Sequence, residues 1–181
     1  MGENQSNIVL IGMPGVGKST VGVLLAKAAG RSFLDTDVLI QAGEDRCLQE
    51  ILDTCGTEEF CRIEERYLLC LEVRRHVVAT GGSAVYSPTA MESLRRGGVI
   101  VHLELPLEHL ARRITNMATR GIVMAGGQSI AELYAQRQPL YRRWADLTVP
   151  CEGLTQDQAA ARIVDLLAEY SGRREGANNG E

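Results

Sequence analysis

"GMPGVGKS", Gly12–Ser19, is the stretch on which the reading of the fold turns. A glycine, four variable residues and then Gly-Lys-Ser match the Walker A pattern, whose meaning depends on what flanks it. Upstream, "NIVLIG" (7–12) reads as an apolar strand, and downstream "TVGVLLAKAAG" reads as a helix, so the required strand–loop–helix context is present. In such a loop, glycines let backbone N–H groups point inward at phosphate oxygens and the helix start adds positive potential. Lys18 supplies charge, and Ser19 can ligate Mg²⁺. The expected nucleotide-binding residues are Gly12, Gly15, Val16, Gly17, Lys18, Ser19 and Thr20, with ATP and Mg²⁺ as the implied ligands. A chance glycine-rich turn would instead leave Lys18 as an unexplained cation.

Outward from this loop, short β-type runs recur at "SFLDTD" (32–37), "HVVATGG" (76–82), "GVIVHLEL" (98–105) and "DLTV" (146–149), separated by amphipathic segments. That alternation predicts an α/β fold: a five-stranded parallel sheet with helices on both faces, three layers in all. Val, Ile and Leu dominate the runs, as strands covered on both faces require. The segment 115–130, "TNMATRGIVMAGGQSI", interrupts the pattern and reads as a loop between helices, either a lid or a passive connection. "TQDQAAARIVDLLAEY" reads as a closing amphipathic helix, and 171–181 as a flexible tail beyond a single domain spanning 1–170.

Composition narrows the partners. The chain has 181 residues, 45% of them hydrophobic, enough for one domain with a real core. A net charge of −4 lacks the basic footprint that nucleic-acid binding needs. Apolar runs are far shorter than a membrane span. The five cysteines, Cys47, Cys55, Cys61, Cys70 and Cys151, form no CxxC pair and accompany no secretory signal, so a reducing cytoplasm is expected. The expectation is a cytoplasmic monomer acting on a small molecule, with no nucleic-acid or membrane partner.

Asp35 and Asp37 close the second strand, at the end where open α/β sheets bind ligands. Two residues apart on an extended chain, their side chains would share a face. One could face the metal while the other receives a hydroxyl proton; alternatively, Asp37 could cap the helix that follows. Gly81 and Gly82 imply a sharp turn or a close approach. His76 and His102 read as core or surface residues, and Trp144 as packing. Arg120, inside the segment 115–130, is placed to deliver charge to a transferring phosphoryl group. Arg62 has Glu58 four residues before it and Glu59 and Glu65 three away, a pattern that pairs along a helix surface.

The order "GMPGVGKST", "LDTD", "GTEEFCRIEE", "ATGGSAV", a lid arginine and "RQPLYRRWAD" resembles the shikimate kinase family over roughly residues 7 to 170. The resemblance implies a nucleoside monophosphate kinase-like fold with an acceptor-binding region at about 35–65, and phosphorylation of shikimate to shikimate 3-phosphate. It further implies that Asp35 organises the metal through water and Asp37 binds and deprotonates the acceptor hydroxyl. Arg113 would cover adenine, Arg120 would reach the transferring phosphate, Arg137 would grip the acceptor carboxylate, and Gly81 and Gly82 would line its pocket. In the family an arginine follows the phenylalanine of the acceptor helix; here that position is Cys61, and Arg62 points about 100° away around the helix. Thr57, Ser83 and Gly121 also depart from the pattern, all toward the acceptor. Two alternatives stay open: a related kinase for another small hydroxylated metabolite, and a nucleotide-binding regulatory protein without turnover.

Overall fold

The computed structural model describes residues 6–113, 122–124 and 127–178. At its centre is β1, Asn7–Ile11, every residue of which is buried. It pairs in parallel with β3 (His76–Ala79) on one side and β4 (Gly98–Glu104) on the other. β2 (Ser32–Asp35) and β5 (Leu147–Pro150) complete a five-stranded, all-parallel sheet in the order β2-β3-β1-β4-β5. The chain leaves β1 toward one edge and later returns to its other side. The strand ends around β1 therefore form the crevice in which such sheets bind ligands.

The connections are helical, as parallel pairing demands. They are α1 (Lys18–Ala29), α2 (Thr36–Glu44), α3 (Leu48–Leu69), α4 (Pro88–Gly97), α5 (Leu107–Arg113) and α6 (Ile130–Trp144), with a short 3₁₀ turn at Ala84–Tyr86, and α7 (Gln156–Asn178) follows the last strand. α3 is broken at Gly56, whose φ of 78° and ψ of 173° are not helical. α7 runs on to Asn178, past Tyr170, where the sequence reading ended it and began the tail. The described part of the segment 115–130 is 122–124 and 127–130; Arg120 and Gly121 lie outside the described residues.

Two apolar clusters hold the layers. The larger surrounds β1, β3 and β4 and includes Leu10, Leu25, Ile100, Tyr141 and Ile163. A smaller one, of Ile40, Leu48, Ile51, Phe60, Ile63 and Val123, lies between α2, α3 and the segment 122–124. The closing "AD" of the last sequence motif also acquires a reason. Asp146 Oδ2 accepts the Ile100 N–H at 2.9 Å, its own N–H donates to the Ile100 carbonyl at 2.8 Å, and Arg95 Nε lies 3.4 Å from Oδ1. One aspartate thus joins the end of α6 to β4. Replacing it by alanine leaves a strand N–H without its charged acceptor, a loss of about 1.5–3 kcal/mol. Asp146→Ala is expected to lower the melting temperature by about 3–10 °C in a thermal scan.

Candidate active site

Helix α1 begins at Gly17, a left-handed N-cap (φ 107°) with no side chain to close the first turn and no acidic residue within it. Its leading N–H groups are therefore left for an outside acceptor, the arrangement that binds phosphate. Lys18 Nζ folds back onto the carbonyls of Gly12 and Met13 at 2.8 and 3.1 Å. A cavity of about 750 Å³ opens at this loop. Gly15, Gly17, Lys18, Ser19 and Thr20 line it on one side, and Asp35, Asp37, Gly81, Gly82, Arg113 and Arg137 on the others. Of the expected nucleotide-binding residues, Gly12 and Val16 lie buried beneath the loop instead of on the cavity wall.

The two aspartates reach the cavity differently from the extended-chain expectation. The strand ends at Asp35, which caps α2: its Oδ1 accepts the Asp37 N–H at 3.0 Å. Asp37 sits in the first helical turn, so the spacing that would align them on a strand instead makes one the cap of the other. The residue between them also contributes, since the buried Thr36 Oγ1 accepts the Gly81 N–H at 3.2 Å and ties the acidic turn to the glycine turn.

Both glycines of that turn are set by close approach. A Cβ on Gly81 would stand 2.2 Å from Glu64 Oε1 and 2.8 Å from Asp37 Oδ1; on Gly82 it would stand 2.7 Å from Arg137 Nη1 and 3.1 Å from Pro14 Cδ. Arg137 is buried, donates from Nε to Tyr86 Oη at 3.0 Å and from Nη2 to the Val123 carbonyl at 2.7 Å, and leaves Nη1 against Gly82. Arg113 Nη1 donates to the Val16 carbonyl at 3.4 Å, which carries this side chain over the loop.

Burial sets the electrostatics. It pushes the Asp37 carboxyl up to about 6, opposed by Lys18 and reinforced by Asp35, and it draws Lys18 down to about 8, opposed chiefly by Asp37. Glu64, on α3, was missed in the sequence. It is 2% exposed and is pushed by burial from the ordinary 4.5 to about 7, with Ser83 hydrogen-bonded to it. Its Oε1 has no hydrogen-bond partner among the described residues. The available signal was its position four residues after the buried Phe60, on the same helix face.

Cys61 does not line the main cavity. With Glu64 and Ser83 it lines a separate one of about 230 Å³, and burial pushes its thiol up to about 11, away from the reactive thiolate. Arg62 answers to its own helix, bonding Glu58 at 2.5 Å and Glu59 at 3.0 Å on the exposed surface. Trp144 packs as expected, beneath the guanidinium groups of Arg95 and Arg143.

An uncapped helix start with its lysine, facing carboxylates and a glycine turn across one cavity, defines a P-loop kinase of small molecules. A family model described as shikimate kinase matches residues 14–168. The shikimate kinase of Mycobacterium avium is 43% identical over 164 residues, covering 88% of this chain and 92% of its own. That of Thiobacillus denitrificans is 39% identical over 168 residues, covering 91% and 90%. Among solved structures, shikimate kinase from Acinetobacter baumannii in complex with shikimate superposes with a TM-score of 0.86 at 31% identity, covering 93% of this chain and 96% of that one. The chain belongs to the shikimate kinase family.

The Glu64 shift makes a stability prediction. Because its folded value lies above its unfolded one, the fold favours the neutral acid. That contribution is complete below about 4.5 and is lost as pH rises through about 7, at most on the order of 3 kcal/mol. Glu64→Gln carries no such loss. In urea unfolding the variant is expected to gain on the wild type between pH 5 and about 7 and to level off above that; a difference that stays flat from pH 5 to 7 would contradict the burial described.

Proposed function

We propose that the protein transfers the γ-phosphoryl group of ATP to a hydroxyl of shikimate, giving shikimate 3-phosphate and ADP. The observation that carries this reading is the meeting, in one cavity, of the phosphate loop, the Asp37 carboxylate and the Gly81–Gly82 turn with Arg137 beside it. The shikimate complex of the Acinetobacter baumannii relative supports the choice of acceptor.

In this reading the loop amides and the start of α1 take the nucleotide phosphates, and Lys18 exchanges the carbonyls of Gly12 and Met13 for phosphate oxygens. Asp37 accepts the acceptor hydroxyl proton as the new O–P bond forms and the bond to the bridging oxygen of ADP breaks. Gly81 and Gly82 let the acceptor approach the backbone, and Arg137 holds its carboxylate. Arg113 covers the adenine, and Arg120 is assigned to the transferring phosphate from the sequence alone.

Ser19 and Asp35 fit a magnesium ion held mainly by phosphates and water. Both line the cavity, Ser19 is exposed to it, and no group of three or more His, Cys, Asp or Glu is gathered among the described residues, as a dedicated protein cage would need. When bound, the ion would neutralise charge on the β- and γ-phosphates. A cytoplasmic monomer belongs to the same proposal. In support of the location, all five cysteines are free thiols and no described helix is long and apolar enough to cross a membrane.

Cys61 supports a second reading, a different hydroxylated acceptor. It is a neutral side chain turned to another cavity, which leaves Arg137 to hold a carboxylate without a second arginine from this helix. The deciding experiment measures ADP release from the purified protein with Mg-ATP, with and without millimolar shikimate, and identifies the product by mass. Shikimate-dependent release is expected; ATP binding without it, and turnover of another alcohol from a panel, would establish the second reading. Asp37→Asn is expected to lower kcat by about 10²–10⁴-fold while ATP affinity changes little, as removal of a proton acceptor should.

A further inference from the structure

Two fully buried aromatic side chains take no part in the chemistry above. Tyr141 on α6 and His102 on β4 are both 0% exposed and stack with ring centroids 5.1 Å apart at an interplanar angle of 19°. Tyr141 Oη donates to the Gly82 carbonyl at 2.8 Å. The other side of Gly82 is pressed between Pro14 of the phosphate loop and Arg137, on the wall of the cavity that both line. His102 packs behind the phosphate loop, off the cavity wall. Its Cδ2 lies 3.6 Å from where a Cβ on Gly12 would stand, and Gly12 is the residue whose carbonyl holds Lys18.

Neither ring nitrogen of His102 has a hydrogen-bond partner among the described residues. Burial draws its value down to about 4, so near neutrality the ring is uncharged. It therefore presents an aromatic face to Tyr141.

We propose that Tyr141, backed by the His102 ring, is a positioning residue that fixes the Gly82 turn against the phosphate loop and thereby sets affinity for the acceptor alcohol. This rests on the reading of Gly82 as a wall of the acceptor pocket. The phenol acts through the Gly82 carbonyl and touches neither substrate. Losing one neutral hydrogen bond corresponds to about a three- to tenfold change in affinity.

The test combines kinetics with amide hydrogen exchange of the substrate-free protein. Tyr141→Phe is expected to raise the shikimate KM about three- to tenfold, with kcat and the ATP KM within about twofold, and to speed exchange across residues 80–86 several-fold. His102→Phe keeps the stacked ring and should behave as wild type, whereas His102→Ala should reproduce the Tyr141→Phe pattern. The histidine pair carries the same comparison if Tyr141→Phe does not fold. Unchanged exchange at 80–86 overturns the proposal at Tyr141 itself. Faster exchange with an unmoved shikimate KM overturns it through the reading of Gly82. Losses spread equally over kcat and both KM values overturn it in favour of general destabilisation. Wild-type protein inert toward shikimate refutes the proposed acceptor, a separate failure that leaves the exchange result interpretable.

Discussion

Helix α1 starts with donors that no described side chain caps. Gly17 offers no capping side chain and no carboxylate stands in the first turn, so the loop makes sense only around an anion. The remaining architecture supports that condition. β1 is buried along its whole length and flanked on both sides, which holds the loop at the sheet's C-terminal edge. Lys18 bonds to the loop's own carbonyls and not to Asp37, so the cation and the carboxylate stay in one cavity without neutralising each other by direct contact.

The acceptor side is built from elements distant in sequence. Thr36 ties the acidic turn to Gly81, Glu64 and Asp37 crowd the other face of that glycine, and Arg137 and Tyr141 come one turn apart from α6 to meet Gly82 from two directions. Each contact is short, which explains why the turn carries no side chains. The buried Glu64, with one oxygen unpartnered, stands beside Cys61 at the wall of a second, smaller cavity. Of the departures from the family pattern, Thr57 and Cys61 lie on α3 and Ser83 follows the glycine turn, so that Cys61 and Ser83 meet at this smaller cavity, whereas Gly121 lies outside the described residues.

The fold was legible because its signals are local. All five strands ended in or near a turn or motif, and five apolar runs alternating with amphipathic ones leave little besides a parallel sheet. The phosphate loop was legible for the same reason. The Asp35–Asp37 relation was misread because spacing alone does not say where the strand stops. The chain enters a helix at Thr36, and the cap is Asp35, not Asp37. Gly12 and Val16 are buried and off the cavity wall, a distinction that a motif, which names residues without saying which way they face, does not make. Glu64 and Tyr141 escaped because their importance lies in burial and in partners on other elements, while His102, read as a core or surface residue, is fully buried. Arg62 was settled by geometry, its carboxylate neighbours sufficing to occupy it.

The division of the interior into two apolar clusters has an evolutionary consequence. Ile40, Leu48, Ile51, Phe60, Ile63 and Val123 form their own small cluster under the acceptor side, separate from the one that supports the phosphate loop. Substitutions in regions with no shared contacts add nearly independently. A lineage could therefore remodel the smaller cluster and drift toward a new alcohol while the machinery for the phosphate donor stays shielded from the mutational cost.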